Sequence, residues 1–172
     1  KCDFVLNLNA DVIINPDTVK NLLKISVDNN YCIVSSLVLS INNRKQIIWS
    51  GSKFRKIYNW LPILTSKYIY KSGTLISEID NDVYEVDEVH GRGVLIPISV
   101  LKKIGNYDSK SFPHYGGDTD FSFRAKKNNI KMLLDPNSKV YLYEKNTGLK
   151  RDRNISLFSK LRQILNYLTK RK

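Results

Sequence analysis

The chain has 172 residues, 42% of them hydrophobic, and carries a net charge of +12 at neutral pH. That length and apolar content suit one globular domain with a real core and exclude the disordered and fibrous classes, which have too little apolar surface to bury. No apolar run approaches the ~20 residues of a bilayer-spanning helix. Over half of the net charge lies in 150–172, where eight Lys or Arg stand against one Asp, so the body of the chain is only mildly basic.

Cys2 to Leu8 is a short apolar run with polar flanks, and it predicts a buried strand that opens the chain without a secretory leader. Cys2 and Cys32 lack metal-ligand spacing and read as buried thiols in a reducing compartment. After Asn9-Ala10-Asp11, Asn15 is placed to cap a helix with Pro16 at its first position, and Val19, Leu22, Leu23 and Ile25 or Ser26 give that helix an apolar face. Tyr31 to Ile41 and Gln46 to Trp49 read as the next strands, with Asn42-Asn43 as a turn between them. Gly51 to Ile79 mixes aromatics and lysines without a period and reads as a long connection carrying short strands.

Tyr84 to His90 alternates toward a strand, Gly91-Arg92-Gly93 interrupts it, and Val94 to Ile96 resumes it before a short helix over Ile98 to Ile104 that Gly105 ends. A loop rich in Asp, Ser, Pro and Gly then opens into a helix over Asp118 to Asn128, with Phe121 and Ala125 on one face. Ile130 to Leu134 and Lys139 to Tyr143 read as two closing strands.

Three features carry chemistry. Asn9-Ala10-Asp11 puts a carboxylate and an amide oxygen at the carboxyl end of a strand, where open α/β sheets bind ligands and where hard Mg²⁺ or Mn²⁺ finds oxygen donors; such a triplet is also an ordinary turn. Asp118 stands at a helix N-terminus, where the macrodipole favours the ionised carboxylate that a general base must be; a simple N-cap, with Asp120 paired to Arg124, explains the same residues. Gly91 and Gly93 allow close backbone approach and Arg92 offers a fork of donors for phosphate or sugar oxygens, though a β-bulge with an exposed Arg has the same sequence.

The order and spacing of these features, through Ile104-Gly105-Asn106-Tyr107-Asp108 to Gly117-Asp118-Thr119-Asp120-Phe121 and Arg124, resembles family 2 of the glycosyltransferases, and within it the bacterial rhamnosyltransferase-like enzymes that build surface polysaccharide. The resemblance implies an α/β, GT-A-like (Rossmann-like) mixed sheet flanked by helices, here without the N-terminal strands that bind the nucleotide, so that the first strand exposes an unpaired edge. Residues 1–149 would be the acceptor-side catalytic part. It implies that Asp11, with Asn9, holds a divalent cation, Mg²⁺ or Mn²⁺, and the diphosphate of a nucleotide-sugar donor. It further implies that Asp118 is the base for a glycan or lipid-linked acceptor in an inverting displacement, that Gly91, Arg92 and Gly93 contact acceptor or diphosphate, and that Asp120 and Arg124 support the helix. Gly117 stands where the family usually carries Glu, and Val140 to Tyr143 has no His where many relatives carry one.

His90 and His114 flank this site; Trp49 and Trp60 are candidates to shape the acceptor pocket, with core packing the favoured role for Trp49. The rival class is a nucleic-acid-binding module without enzymatic activity, for which Lys53 to Lys71, with Phe54, Tyr58, Trp60, Tyr68 and Tyr70, is the one segment that interleaves bases and aromatics. Residues 150–172 carry Ile155, Phe158, Leu165 and Leu168 at helical spacing among basic residues, the pattern of an amphipathic helix on an anionic membrane surface and equally of one docked on its own domain with its lysines solvated. The expected location is therefore cytoplasmic, peripheral on the inner face of the cell membrane.

Overall fold

The computed structural model describes residues 2–58, 61–113 and 115–143, leaving aside the side chains of 56–58 and 61–64. Along the chain run β1 (Phe4–Asn7), β2 (Val12–Ile14), α1 (Thr18–Asp28), β3 (Ile33–Ser40), β4 (Ile47–Trp49), β5 (Ser52–Tyr58) and β6 (Leu61–Tyr68). Then follow β7 (Tyr84–Glu85), β8 (Val94–Pro97), α2 (Ile98–Ile104), α3 (Gly117–Lys127) and β9 (Met132–Leu142). Seven strands form one mixed sheet in the order β1-β8-β3-β9-β2, with β4 beside β3 and β7 beside β9, while β5 and β6 make a separate hairpin. Only β3 and β9 pair in parallel among the described strands.

Alternation along the strands sorts side chains onto two faces. Val34, Leu95 and Leu133 meet Leu22 of α1 on one side. Their neighbours Ile33, Val94, Ile96, Met132 and Leu134 meet Val100 of α2 and Phe121 and Ala125 of α3 on the other. The result is three layers, helix, sheet and helices, with β3 buried along its whole length. Phe121 is fully buried, and removing its ring from water contributes about 2–3 kcal/mol to holding α3 on the sheet. Arg124 adds a polar tie: it donates to Asp120 Oδ2 at 2.8 Å and to the carbonyls of Ile104 and Asn106 at 2.6 and 3.0 Å, anchoring α3 to the end of α2.

Residues 8–11 alone join β1 to β2, although those strands lie at opposite ends of the strand order. They form a turn in which Val12 N–H donates to Asn9 O at 3.3 Å. Asn7 O accepts from Gly93 N–H at 3.0 Å and Asp11 O from Tyr143 N–H at 2.9 Å. Among the described residues β1 is bonded on one side only, to β8.

Several expectations need correction. Asn15 does not cap α1 with its side chain; the helix begins at Thr18 with Asp17 before it, and Asn15 N–H instead donates to Thr18 Oγ1 at 3.1 Å. The two closing strands are one, because β9 runs through Pro136 by looping out residues 136–138 between Asp135, opposite Ser36, and Lys139, opposite Leu37. A strand can carry proline where its ladder is already interrupted. Only Tyr84–Glu85 of the Tyr84 to His90 run is a strand. Cys32 is buried, but Cys2 is exposed. Gly51 to Ile79 resolves into the β5–β6 hairpin and a 3₁₀ turn at Ile76–Glu78. No described helix is long and apolar enough to cross a membrane. The tail 150–172, Trp60 and His114 lie outside the described residues.

Candidate active site

The interrupted strand at Gly91 brings the sequence motifs together. A methyl group on Gly91 would lie 3.1 Å from Asn7 Nδ2, 3.2 Å from Asn9 Oδ1 and 3.4 Å from Asp118 Oδ1. A Cβ there would press on polar side chains from β1, the turn after it and α3, each of which would have to give way by a few tenths of an ångström. Beside this meeting point opens a cleft of about 430 Å³ lined by Asn9, His90, Arg92, Tyr107, Phe112 and the first turn of α3 from Gly116 to Thr119.

Gly116 precedes α3 in the left-handed conformation, with φ 90°. This turn aims the free N–H groups of α3 and Asp118 together at the cleft, so the helix dipole favours negative charge there. Gly93 is equally constrained: it has φ 86°, and a Cβ would meet Ser36 Oγ at 2.7 Å and Val140 Cγ1 at 2.8 Å. Arg92, between these glycines, is half-buried in the cleft wall, and among the described residues it has no ion-pair partner. Its Nε is buried without a hydrogen-bond partner among the described residues.

His90 packs against the buried Trp49 with ring centroids 4.4 Å apart. Burial pushes its pKa below the usual 6.5; Asp118 and Glu88 pull the other way and Arg92 adds to the fall. His90 is thus a neutral imidazole in the cleft wall near neutral pH. Tyr107 stacks on Phe121 with centroids 4.5 Å apart, its hydroxyl is buried without a hydrogen-bond partner, and burial raises its pKa to about 12.

Glu88, which the sequence reading passed over, organises this corner. Only 5% exposed, it accepts from Ser52 Oγ at 2.7 Å and Ser66 Oγ at 2.8 Å on Oε2, and from Thr119 Oγ1 at 2.7 Å on Oε1. Burial alone would raise its pKa, but the three hydroxyl donors and His90 outweigh it and hold the carboxyl below its usual 4.5.

Asp11 is not among the residues lining the cleft. Its Oδ1 is nonetheless buried without a hydrogen-bond partner. No three His, Cys, Asp or Glu side chains among the described residues cluster to enclose a metal. The donors at the turn, one orphaned carboxylate oxygen and the Asn9 amide, fit a hard cation that keeps most of its positions for phosphate and water.

No protein-family model matches the sequence. The chain is 31% identical over 131 residues to the low-salt glycan biosynthesis hexosyltransferase Agl10 of Haloferax volcanii; the match covers 74% of this chain and 38% of that protein. Among solved structures, GalNAc-T7 with UDP, GalNAc and Mn²⁺ superposes at TM-score 0.56 with 16% identity, over 81% of this chain and 27% of that one. The fold is of the GT-A glycosyltransferase type. A197 from STIV superposes more loosely, at TM-score 0.45 and 15% identity, over 81% of this chain and 65% of that one. The nucleic-acid reading is not favoured. Of its aromatics, Phe54 packs on Phe123 and Tyr70 donates to Asp80, while Lys53 is 3.9 Å from Asp87.

Proposed function

We propose that this chain is the catalytic, acceptor-side part of a glycosyltransferase that moves a sugar from a nucleotide-diphosphate donor to a hydroxyl of a glycan or lipid-linked acceptor. The convergence of Asn9, Gly91 and Asp118 at one cleft mouth, on a GT-A-type sheet, carries this reading. The similarity to a hexosyltransferase over three-quarters of the chain supports it.

In this reading the acceptor O–H gives its proton to the Asp118 carboxylate as the oxygen attacks the anomeric carbon. The bond from that carbon to the diphosphate breaks, inverting the centre, and the nucleoside diphosphate departs with the electron pair. Arg92 and the free N–H groups of α3 take up negative charge in the cleft. Asp11 and Asn9 would hold Mg²⁺ or Mn²⁺, which when bound supplies charge neutralisation for the leaving diphosphate. Asp120 and Arg124 act by fixing α3, and Gly91 and Gly93 by letting the backbone come close.

The test is Asp118→Asn. As a base, Asp118 accounts for roughly 10²- to 10⁴-fold of the turnover, so release of nucleoside diphosphate in the presence of acceptor should fall by that factor while donor affinity is kept. Turnover equal to that of the parent removes Asp118 from the mechanism.

A further inference from the structure

A second hollow of about 390 Å³ lies beside the Asp118 cleft, between the β5–β6 hairpin and α3, and shares Phe112, Gly116 and Thr119 with it. Its floor is aromatic: the rings of Phe54 and Phe123 lie 6.4 Å apart at 50°. Phe123 is 49% exposed, so α3 presents a phenyl ring outward from a helix whose other aromatic, Phe121, fills the core. The polar rim consists of the hydroxyls of Thr65, Ser66 and Thr119 and the Asp120 carboxylate.

The buried carboxylate of Glu88 decides what this rim can bind. Ser66 and Thr119 both direct their hydroxyl protons inward to Glu88. A hydroxyl has one proton and two lone pairs, so what these two residues turn toward the hollow is acceptor only. Asp120 is likewise an acceptor, with Oδ2 held by Arg124. Lys126 lies over the Phe54 ring at 5.7 Å but is held by Asp87 at 2.7 Å. A phosphate or carboxylate would find acceptors facing it from Ser66, Thr119 and Asp120, with the Thr65 hydroxyl left to donate. A prenyl or acyl chain would bury the rim oxygens without partners, which is costly. A pyranose ring fits both requirements, because its edge is a row of O–H donors and its C–H face lies flat on an aromatic ring.

We propose that this hollow is an acceptor subsite for a neutral pyranose, placed next to the sugar whose hydroxyl reaches Asp118. The inference rests on the glycosyl-transfer reading of the neighbouring cleft and extends it: the acceptor is a glycoside of at least two units, recognised through its ring face. Saturation-transfer NMR on the protein, with a panel of methyl α- and β-hexopyranosides and with geranyl phosphate as probes, tests it. At least one glycoside should receive saturation at its ring C–H protons. Phe123→Ala should weaken that binding about tenfold, Phe123→Tyr should retain it, and both variants should melt with the parent because the ring is half in solvent. Asp118→Asn should leave the glycoside signal intact. The proposal is overturned if no glycoside is saturated, if the signal survives Phe123→Ala, or if geranyl phosphate displaces the sugar. Should Asp118→Asn transfer sugar at the parental rate while glycoside binding still depends on Phe123, the transfer reading falls and the sugar-binding hollow stands.

Discussion

Replacing Glu88 by Gln tests the claim that one buried carboxylate fastens the hairpin to the active-site helix. The side chain accepts three hydroxyl hydrogen bonds, from β5, β6 and α3. Hydrogen bonds to a charged acceptor contribute about 1.5–3 kcal/mol each against roughly 0.5–1.5 for neutral ones. Glu88→Gln lowers all three to the neutral class and regains part of the desolvation of the charge. The net loss is about 2 kcal/mol, or roughly 4–8 °C in Tm for a chain of this length. Because the folded pKa of Glu88 lies below its usual 4.5, its contribution is complete above that value and fades as pH falls through the folded pKa. His90, also depressed, from 6.5, loses stability in the same direction but from a higher starting pH, and it loses more in the variant, which lacks the Glu88 charge that pulls the His90 pKa up. Thermal melts of parent and variant should therefore differ at pH 7, and the gap should close only as Glu88 itself is protonated below pH ~4.5. Equal melting temperatures at pH 7, or a gap undiminished at pH ~3, would refute the reasoning.

Gly91→Ala places a methyl between Asn7, Asn9 and Asp118, and because the φ of Gly91 is not positive the backbone accepts it; activity should fall roughly tenfold through displaced side chains, with circular dichroism melts nearly unchanged. Asp11→Ala should weaken Mn²⁺-dependent binding of nucleoside diphosphate, measured by calorimetry, and unchanged binding removes Asp11 from the donor side. Deleting 155–172 should abolish co-sedimentation with vesicles of anionic lipid, binding that in the intact protein weakens with added salt; an intact protein that ignores such vesicles at low salt makes the tail a packing helix.

The fold was legible where burial is one-sided or complete. β3 is buried throughout and carries no charged residue because both its faces are covered, and α2 ends at Gly105 because that residue takes φ 79°. β2 was missed because three residues after a turn leave no period to detect, and β9 was split because Pro136 reads as a strand end when the chain in fact loops out around it. The hairpin was opaque because β5 and β6 form a two-stranded sheet apart from the main one, bridged to Glu88 at Ser52, so neither shows a clean alternation. That Asn9, Arg92 and Asp118 share one cleft agrees with their selection by motif spacing, since backbone-defined positions leave a signature in glycines and helix starts. Glu88 and Asn7 act by proximity across 31 and more residues, and no local pattern records that.

The turn at residues 8–11 works as a clasp. It fastens β1 at one margin of the sheet to β2 at the other, and its flanking carbonyls, Asn7 O and Asp11 O, hold the amides of Gly93 and Tyr143. Asn9 and Asp11 sit on the clasp itself. Any ligand that engages them binds only while both margins are closed, so occupancy and the order of the two edges form a single equilibrium. On the proposed reading, fraying at either margin would strip the turn of its cation and donor, and a bound donor would in turn protect strands it never touches.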